Sequence, residues 1–258
     1  MAATMHAFAN AAELAANLAD KVADELSKAI AAKGTATIAV SGGSTPKAFF
    51  QALSTRDLDW PKVTITLVDE RFVPATSDRS NHLLVASNLL QNKAKAARFL
   101  PLFHDTGSAE TAAKLAAAET ASIGNPFDIV ILGMGGDGHT ASFFPGGNNL
   151  AVALDPKTPR GIITMEAQDA GEPRLTFTFS SLQDAKLLVL HIEGQGKKDV
   201  LTKAEGAGDE AEMPIRAVLR RGRRRLSIST GLRNTKPSGR AANIQFEQQP
   251  RQDNSHVR

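Results

Sequence analysis

The chain has 258 residues, 42% of them hydrophobic, enough to bury a substantial core in one large α/β domain or two small ones; one domain is expected. It contains no cysteine, which excludes disulfides and thiolate metal sites and agrees with a reducing compartment. The net charge of +3 conceals a division: residues 220–258 hold ten of the 30 Lys and Arg and two of the 27 Asp and Glu, so this tail carries +8 and residues 1–219 carry −5. The basic pI therefore belongs to the tail, and the folded domain is not expected to bind nucleic acid.

At the N-terminus Glu13, Asp20, Asp24 and Glu25 interrupt the apolar residues, so neither a secretory signal nor a membrane span is read there, and a cytoplasmic protein is expected. From about Asn10 to Ala32, Leu14, Leu18, Val22, Leu26 and Ile30 recur four apart, which predicts an amphipathic helix. Thr35 to Val40 reads as a strand running into Ser41-Gly42-Gly43-Ser44-Thr45-Pro46, with Pro46 at a first helical position and Thr45 as its N-cap. A strand, a Gly/Ser/Thr loop and a helix start together offer free N–H groups, hydroxyls and a favourable dipole, so an anion cradle is expected here in preference to an ordinary capped turn. The spacing is not that of a Walker A loop.

Val63 to Val68 is the next strand and ends in Asp69-Glu70-Arg71-Phe72-Val73-Pro74. Three charges at the end of a buried strand are costly unless they face a cleft and find partners, and the planar Arg71 guanidinium suits a phosphate or carboxylate. A helix follows from a cap at Ser80 or Asn81, and another occupies residues 108–122. Asp128 to Leu132 is a buried parallel strand that stops at Gly133. Gly133, Gly135, Gly136 and Gly138 then leave little bulk around Asp137 and His139, which stands where a helix could begin. Many glycine turns only join a strand to its helix. An imidazole two residues after a carboxylate, delivered together at the carboxyl end of a strand, points instead to acid–base chemistry.

Further on, Gly161 to Met165 is a weak strand, Arg174 to Phe179 a stronger one, and Lys186 to Ile192 an apolar one in which His191 is simply a strand residue. A helix through about Lys203 follows Gly194. Lys197 lies in its first turn, the wrong end for a lysine on dipole grounds unless an anion is there, although a solvated Lys197–Lys198 pair is the commoner fate. Strand, loop and helix repeat from Thr35 to Lys203. This predicts an α/β fold with a doubly wound, mostly parallel sheet and helices on both faces, a three-layer α/β/α domain, with the loops at 41–46, 69–74, 133–142 and 194–198 gathered on one edge.

The segments SGGSTP (41–46), DERFVP (69–74), SNHLL (80–84), LGMGGDGHTASFFPG (132–146), RLTFTF (174–179) and EGQGKKDVL (193–201) carry a resemblance to the 6-phosphogluconolactonase family, within the glucosamine-6-phosphate isomerase/deaminase superfamily. It runs in order from about residue 6 to residue 219. Deaminases of the superfamily typically have an acidic residue a few positions after the histidine, where this chain reads Thr140-Ala141-Ser142-Phe143-Phe144-Pro145, so the lactonase branch fits better. The resemblance implies hydrolysis of 6-phospho-D-glucono-1,5-lactone to 6-phospho-D-gluconate in the oxidative pentose phosphate pathway, with no metal or cofactor. It also implies catalytic residues His139 and Asp137. By the same resemblance Ser41, Gly42, Gly43, Ser44, Thr45, Arg71, Arg174 and Lys197 would bind the substrate and its phosphate; in the mechanism expected for such a site, the turn around the loop glycines Gly135, Gly136 and Gly138 would face the oxyanion with its N–H groups, together with Arg71. A monomer with a small sugar-phosphate lactone as its only partner is expected. A deaminase-type enzyme and a non-catalytic sugar-phosphate-binding protein are the alternatives.

The resemblance covers a domain of residues 1–219. Relatives end with a short strand containing a Tyr-Trp pair, whereas this chain has no tyrosine and continues in arginine, glycine, serine, asparagine and glutamine. Residues 220–258 are therefore expected to be a basic, disordered tail of non-family sequence, explained more simply by a reading-frame change near Arg220 than by an evolved basic arm. Within it, LSIST at 226–230 is the one stretch able to stand in for the lost strand.

Overall fold

The computed structural model describes residues 4–168, 170–222, 225–231 and 242–244. The chain opens with β1 (Thr4–Phe8), a strand without a clear sequence signal, and continues through α1 (Ala11–Lys33), β2 (Ala36–Val40), α2 (Lys47–Ser54), β3 (Val63–Leu67), β4 (Asp69–Arg71), α3 (Asn81–Asn88) and β5 (Arg98–Leu100). It proceeds through α4 (Ala109–Thr120), β6 (Ile129–Leu132), α5 (Leu150–Leu154), β7 (Ile162–Met165), β8 (Arg174–Phe177) and α6 (Phe179–Leu182). The last elements are β9 (Leu187–Glu193), α7 (Gln195–Glu205), α8 (Ile215–Arg221), β10 (Arg225–Gly231) and β11 (Ala242–Ile244).

Local chemistry accounts for the helix ends. Asn10 caps α1 by accepting the Glu13 N–H at 2.8 Å, and Gly34, at φ +82°, closes it with its N–H on the Ile30 carbonyl. The stripe of Leu14, Leu18, Val22 and Leu26 is at most 2% exposed, each side chain contributing about 1.5–3 kcal/mol by leaving water. It packs α1 against α2 and against β2, β6 and β10. Ser80 caps α3 through the Leu83 N–H. At α2 the expected arrangement shifts by one residue: Pro46 is itself the N-cap, already in the α region, and Thr45 makes no capping bond.

The main sheet runs β11-β1-β10-β9-β6-β2-β3-β5, parallel throughout except for β11, and helices flank it in three α/β/α layers. From β2 the chain moves outward through β3 to β5, then returns to place β6 on the other side of β2. The order therefore reverses between β2 and β6, and the crevice beyond their carboxyl ends is where an open sheet binds ligands. The 41–46 loop leaves β2 at that point, and the glycine-rich loop leaves β6 beside it.

The structure departs from the sequence expectations at several points. The strands read at 161–165 and 174–179 are not in the parallel sheet: β7 and β8 form a separate antiparallel sheet with β4, in the order β4-β8-β7. Asp69-Glu70-Arg71, read as a loop, is the edge strand of that sheet. No helix begins at His139; a long loop runs to α5, because the turn from Gly133 to Gly147 folds on itself and not into i→i+4 bonds. The boundary expected at residue 219 falls inside α8, and β10 is interior to the sheet, parallel to β9 in register from Arg225 to Gly231 and to β1 from Ser227 to Gly231. LSIST thus occupies a strand position. Residues 223–224, 232–241 and 245–258 of the expected disordered tail lie outside the described residues.

Candidate active site

A cavity of about 240 Å³ opens at the β2/β6 crevice and draws residues from all four polar segments: Ser41 to Pro46, Asp69 and Arg71, Gly133 to Gly135 with His139 to Ala141, and Lys197. Arg174 from β8 completes its cationic side. The predicted residues Ser41, Gly42, Gly43, Ser44, Thr45, Arg71, Gly135, His139, Arg174 and Lys197 therefore share one space. Asp137, Gly136 and Gly138 do not line it.

Asp137 stands behind the histidine. Its Oδ1 is 2.6 Å from His139 Nδ1 and also accepts the His139 N–H at 3.0 Å. Burial would raise the Asp137 carboxyl, but the hydrogen bonds and charge of His139 outweigh it and hold it at about 2. The carboxylate is thus ionised at neutral pH. A proton on Nδ1 donated to it leaves Nε2 as the basic nitrogen. Gly135 is required here by space: a Cβ would lie 2.1 Å from His139 Nδ1 and 2.4 Å from Asp137 Oδ1.

The glycine turn does not present the expected oxyanion donors. The Gly135 N–H is spent on the His139 carbonyl at 2.8 Å and the Gly138 N–H on the Gly135 carbonyl at 3.3 Å, while Gly136 is exposed outside the cavity. These bonds close the turn; its shape is the glycines' contribution. Across the cavity, by contrast, no hydrogen bond among the described residues engages the N–H groups of Gly42, Gly43, Ser44 or Thr45. Gly42 must also be glycine, because a Cβ would overlap the Asn81 side-chain amide at 1.8 Å.

Arg71 and Arg174 are direct cross-strand partners in the β4–β8 pair. Like charges placed opposite each other are destabilising unless an anion joins them. Neither is neutralised by an ion pair among the described residues: Arg71 Nη1 donates to the Arg79 carbonyl, and Arg174 donates from Nε to the Glu172 carbonyl at 3.2 Å and from Nη2 to the Ala170 carbonyl at 2.5 Å. Burial, with Arg71 nearby, pushes the Arg174 guanidinium below its ordinary value against the attraction of Asp69. Lys197 is lowered too, by burial, with Asp137 pulling the other way. Three cations thus face one cavity.

The three charges of the Asp69-Glu70-Arg71 segment divide their work. Glu70 does not face the cleft; it is fully buried and accepts the N–H groups of Arg71, Asn81 and His82 and the Ser80 hydroxyl, satisfying the start of α3. Asp69 lines the cavity, and its Oδ2 accepts the Ser142 hydroxyl at 2.6 Å, tying the small sheet to the glycine loop. Sequence reading did not single out Asp69 as a site residue, nor Asn81 or His191, which also line the cavity. His191 gave no signal because β9 is buried along nearly its whole length and shows no alternation. Among the described residues, no cluster of three or more His, Asp or Glu is placed to hold a metal ion, and no helix is long and apolar enough to cross a membrane.

A doubly wound fold whose switch-point cavity joins an imidazole–carboxylate couple to three cationic side chains defines a protein with a site suited to a small anionic molecule. Residues 9–228 match the family model described as glucosamine-6-phosphate isomerases/6-phosphogluconolactonase. The chain is 67% identical over 228 residues to a 6-phosphogluconolactonase of Rhizobium meliloti, covering 88% of this chain and 98% of the relative. It is 54% identical to a 6-phosphogluconolactonase of Mesorhizobium japonicum, covering 83% of this chain and 89% of that one. A crystal structure of a 6-phosphogluconolactonase from Shewanella baltica superimposes with a TM-score of 0.85 at 38% identity, covering 88% of this chain and 97% of that chain. The chain belongs to the glucosamine-6-phosphate isomerase/6-phosphogluconolactonase family.

Proposed function

We propose that the protein hydrolyses 6-phospho-D-glucono-1,5-lactone to 6-phospho-D-gluconate, the lactonase step of the oxidative pentose phosphate pathway. The observation that carries this reading is one cavity with His139, backed by ionised Asp137, on one wall and three cations, Arg71, Arg174 and Lys197, without ion-pair partners among the described residues, on the others. The kinship with 6-phosphogluconolactonases supports it.

A lactone is an activated ester, so the site has to position it, activate a water and stabilise the tetrahedral oxyanion; no cofactor is required. His139 Nε2 takes the proton of the attacking water, a role typically worth ~10²–10⁴-fold, while Asp137 fixes the tautomer and stabilises the imidazolium that forms. Arg174, Lys197 and the N–H groups of the 41–45 loop hold the phosphate. Arg71 faces the developing oxyanion in place of the glycine-turn amides, which are spent within the turn. The imidazolium then returns its proton to the ring oxygen as the C–O bond breaks. The active form in this reading is a cytoplasmic monomer whose folded domain has no nucleic-acid partner.

The test is the disappearance of freshly made 6-phosphogluconolactone above its spontaneous rate. His139→Ala is expected to lower kcat with little change in KM, and Arg174→Ala to raise KM mainly. The reverse pattern refutes the assignment. Ammonia release from glucosamine 6-phosphate would replace the lactonase reading with a deaminase one.

A further inference from the structure

Phe144 stands between the two halves of the site. Its ring centroid is 4.6 Å from that of the His139 imidazole, with the planes inclined at 46°, and the Arg174 guanidinium carbon lies 5.3 Å from the same centroid. Phe144 is 8% exposed and is not part of the cavity wall, so it acts on the site through these two neighbours. The backbone that presents it is tightly specified. Ala141, a non-glycine residue at φ +48°, turns the chain; the Phe143 N–H closes that turn on the Thr140 carbonyl at 2.9 Å, and the Phe144 N–H reaches the Ser142 carbonyl at 3.1 Å. Ser142 is in turn anchored to Asp69. A left-handed alanine is held only where its surroundings over-determine it, and such strain clusters at functional sites.

We propose that Phe144 is a positioning residue that fixes the separation of the His139 imidazole and the Arg174 guanidinium, and thereby matches the site to the distance between the carbonyl and phosphate of its substrate. The inference rests on the proposed function, in which His139 works at the lactone carbonyl and Arg174 holds the phosphate. Binding energy from a remote phosphate raises the rate only if it is delivered as correct placement at the reacting carbon. That transfer needs a rigid connection between the two groups. An aromatic ring supplies it: its face attracts the guanidinium, and it packs against the imidazole in a tilted contact with only two torsions to restrain. An aliphatic side chain of similar size fills the space without either preference.

The experiment compares Phe144→Leu and Phe144→Tyr, each alone and combined with Arg174→Ala, on the phosphorylated lactone and on unphosphorylated D-glucono-1,5-lactone. Phe144→Leu is expected to lower kcat on the phosphorylated lactone by about tenfold, the scale of coupling between residues in contact, and by under about twofold on the unphosphorylated one. In the Arg174→Ala background the Phe144→Leu effect should shrink to under about twofold, and Phe144→Tyr, which keeps the ring, should stay within about threefold of the parent. Equal losses on both lactones, or an undiminished loss in the Arg174→Ala background, would show that Phe144 only fills space and would overturn the proposal. Should Phe144→Leu not fold, Phe144→Met makes the same comparison with a ring-free, unbranched side chain that adapts to an irregular space. An unchanged KM in Arg174→Ala alone sinks the phosphate assignment, and the proposal with it. A normal Arg174→Ala response with uniform Phe144→Leu losses removes the Phe144 role alone.

Discussion

Replacing Gly135 with alanine tests the placement of His139, the base of the proposed mechanism, with the smallest possible change. The added Cβ would meet His139 Nδ1 at 2.1 Å, Cε1 at 2.3 Å and Asp137 Oδ1 at 2.4 Å, whereas ordinary contact begins near 3.4 Å. The imidazole must therefore move by about 1.3 Å, and a displacement of about 1 Å at a reacting group costs on the order of 10²-fold in rate. Gly135 does not have positive φ, so backbone strain does not confuse the reading. Because the His139 side chain is one-third exposed, it can swing outward without opening a core cavity, and stability should be nearly preserved. The assay is kcat and KM for the phosphorylated lactone above the spontaneous rate, with thermal unfolding recorded in parallel. The expected result is a kcat lower by about 10²-fold, KM within about threefold and an unfolding midpoint within a few degrees. Gly136→Ala, one residue along and with nothing within 4 Å of the added methyl, should keep near parental activity. A Gly135→Ala variant with kcat within about threefold of the parent would refute the role given to His139.

Other outcomes follow from the same geometry. Asp137 has a folded-state pKa of about 2 against an ordinary 3.8, so its contribution to stability is present above pH 3.8 and is lost as the pH falls through about 2. Urea unfolding of Asp137→Asn should therefore fall below the parent at pH 7, by at most ~1 kcal/mol because the carboxylate is half exposed, and converge with it near pH 2. A gap that persists undiminished at that pH would contradict the pairing. Lys197→Met removes an ammonium that burial already disfavours, so its unfolding midpoint should equal or exceed the parent's while KM for the phosphorylated lactone rises by about tenfold. A lowered midpoint with unchanged KM would make Lys197 structural. Truncation after Gly222 removes β10 from between β1 and β9 together with β11, leaving β1 without a sheet neighbour and one edge of β9 unpaired; soluble yield and cooperative unfolding should both be lost. A truncated chain that unfolds cooperatively would show β10 to be dispensable.

The sequence by itself determined the parts of this protein whose physics is local. The four-residue spacing of Leu14, Leu18, Val22 and Leu26 fixed α1, the β-branched runs fixed β2, β3, β6 and β9, and the glycines around Asp137 and His139 marked a turn with room for chemistry. The Gly/Ser/Thr loop after β2 was legible because free amides at a strand end need an anion or water. Tertiary structure decided what depends on pairing between distant segments. Nothing local in Asp69-Glu70-Arg71 or Arg174-Leu175-Thr176 says that these strands leave the parallel sheet to pair with each other and bring two guanidiniums together. Burial on both faces erased the alternation that would have shown His191 pointing to the cavity. LSIST carried strand propensity, yet only the gap between β1 and β9 made it a sheet strand, because a ladder of hydrogen bonds on both sides cannot be read from one strand alone.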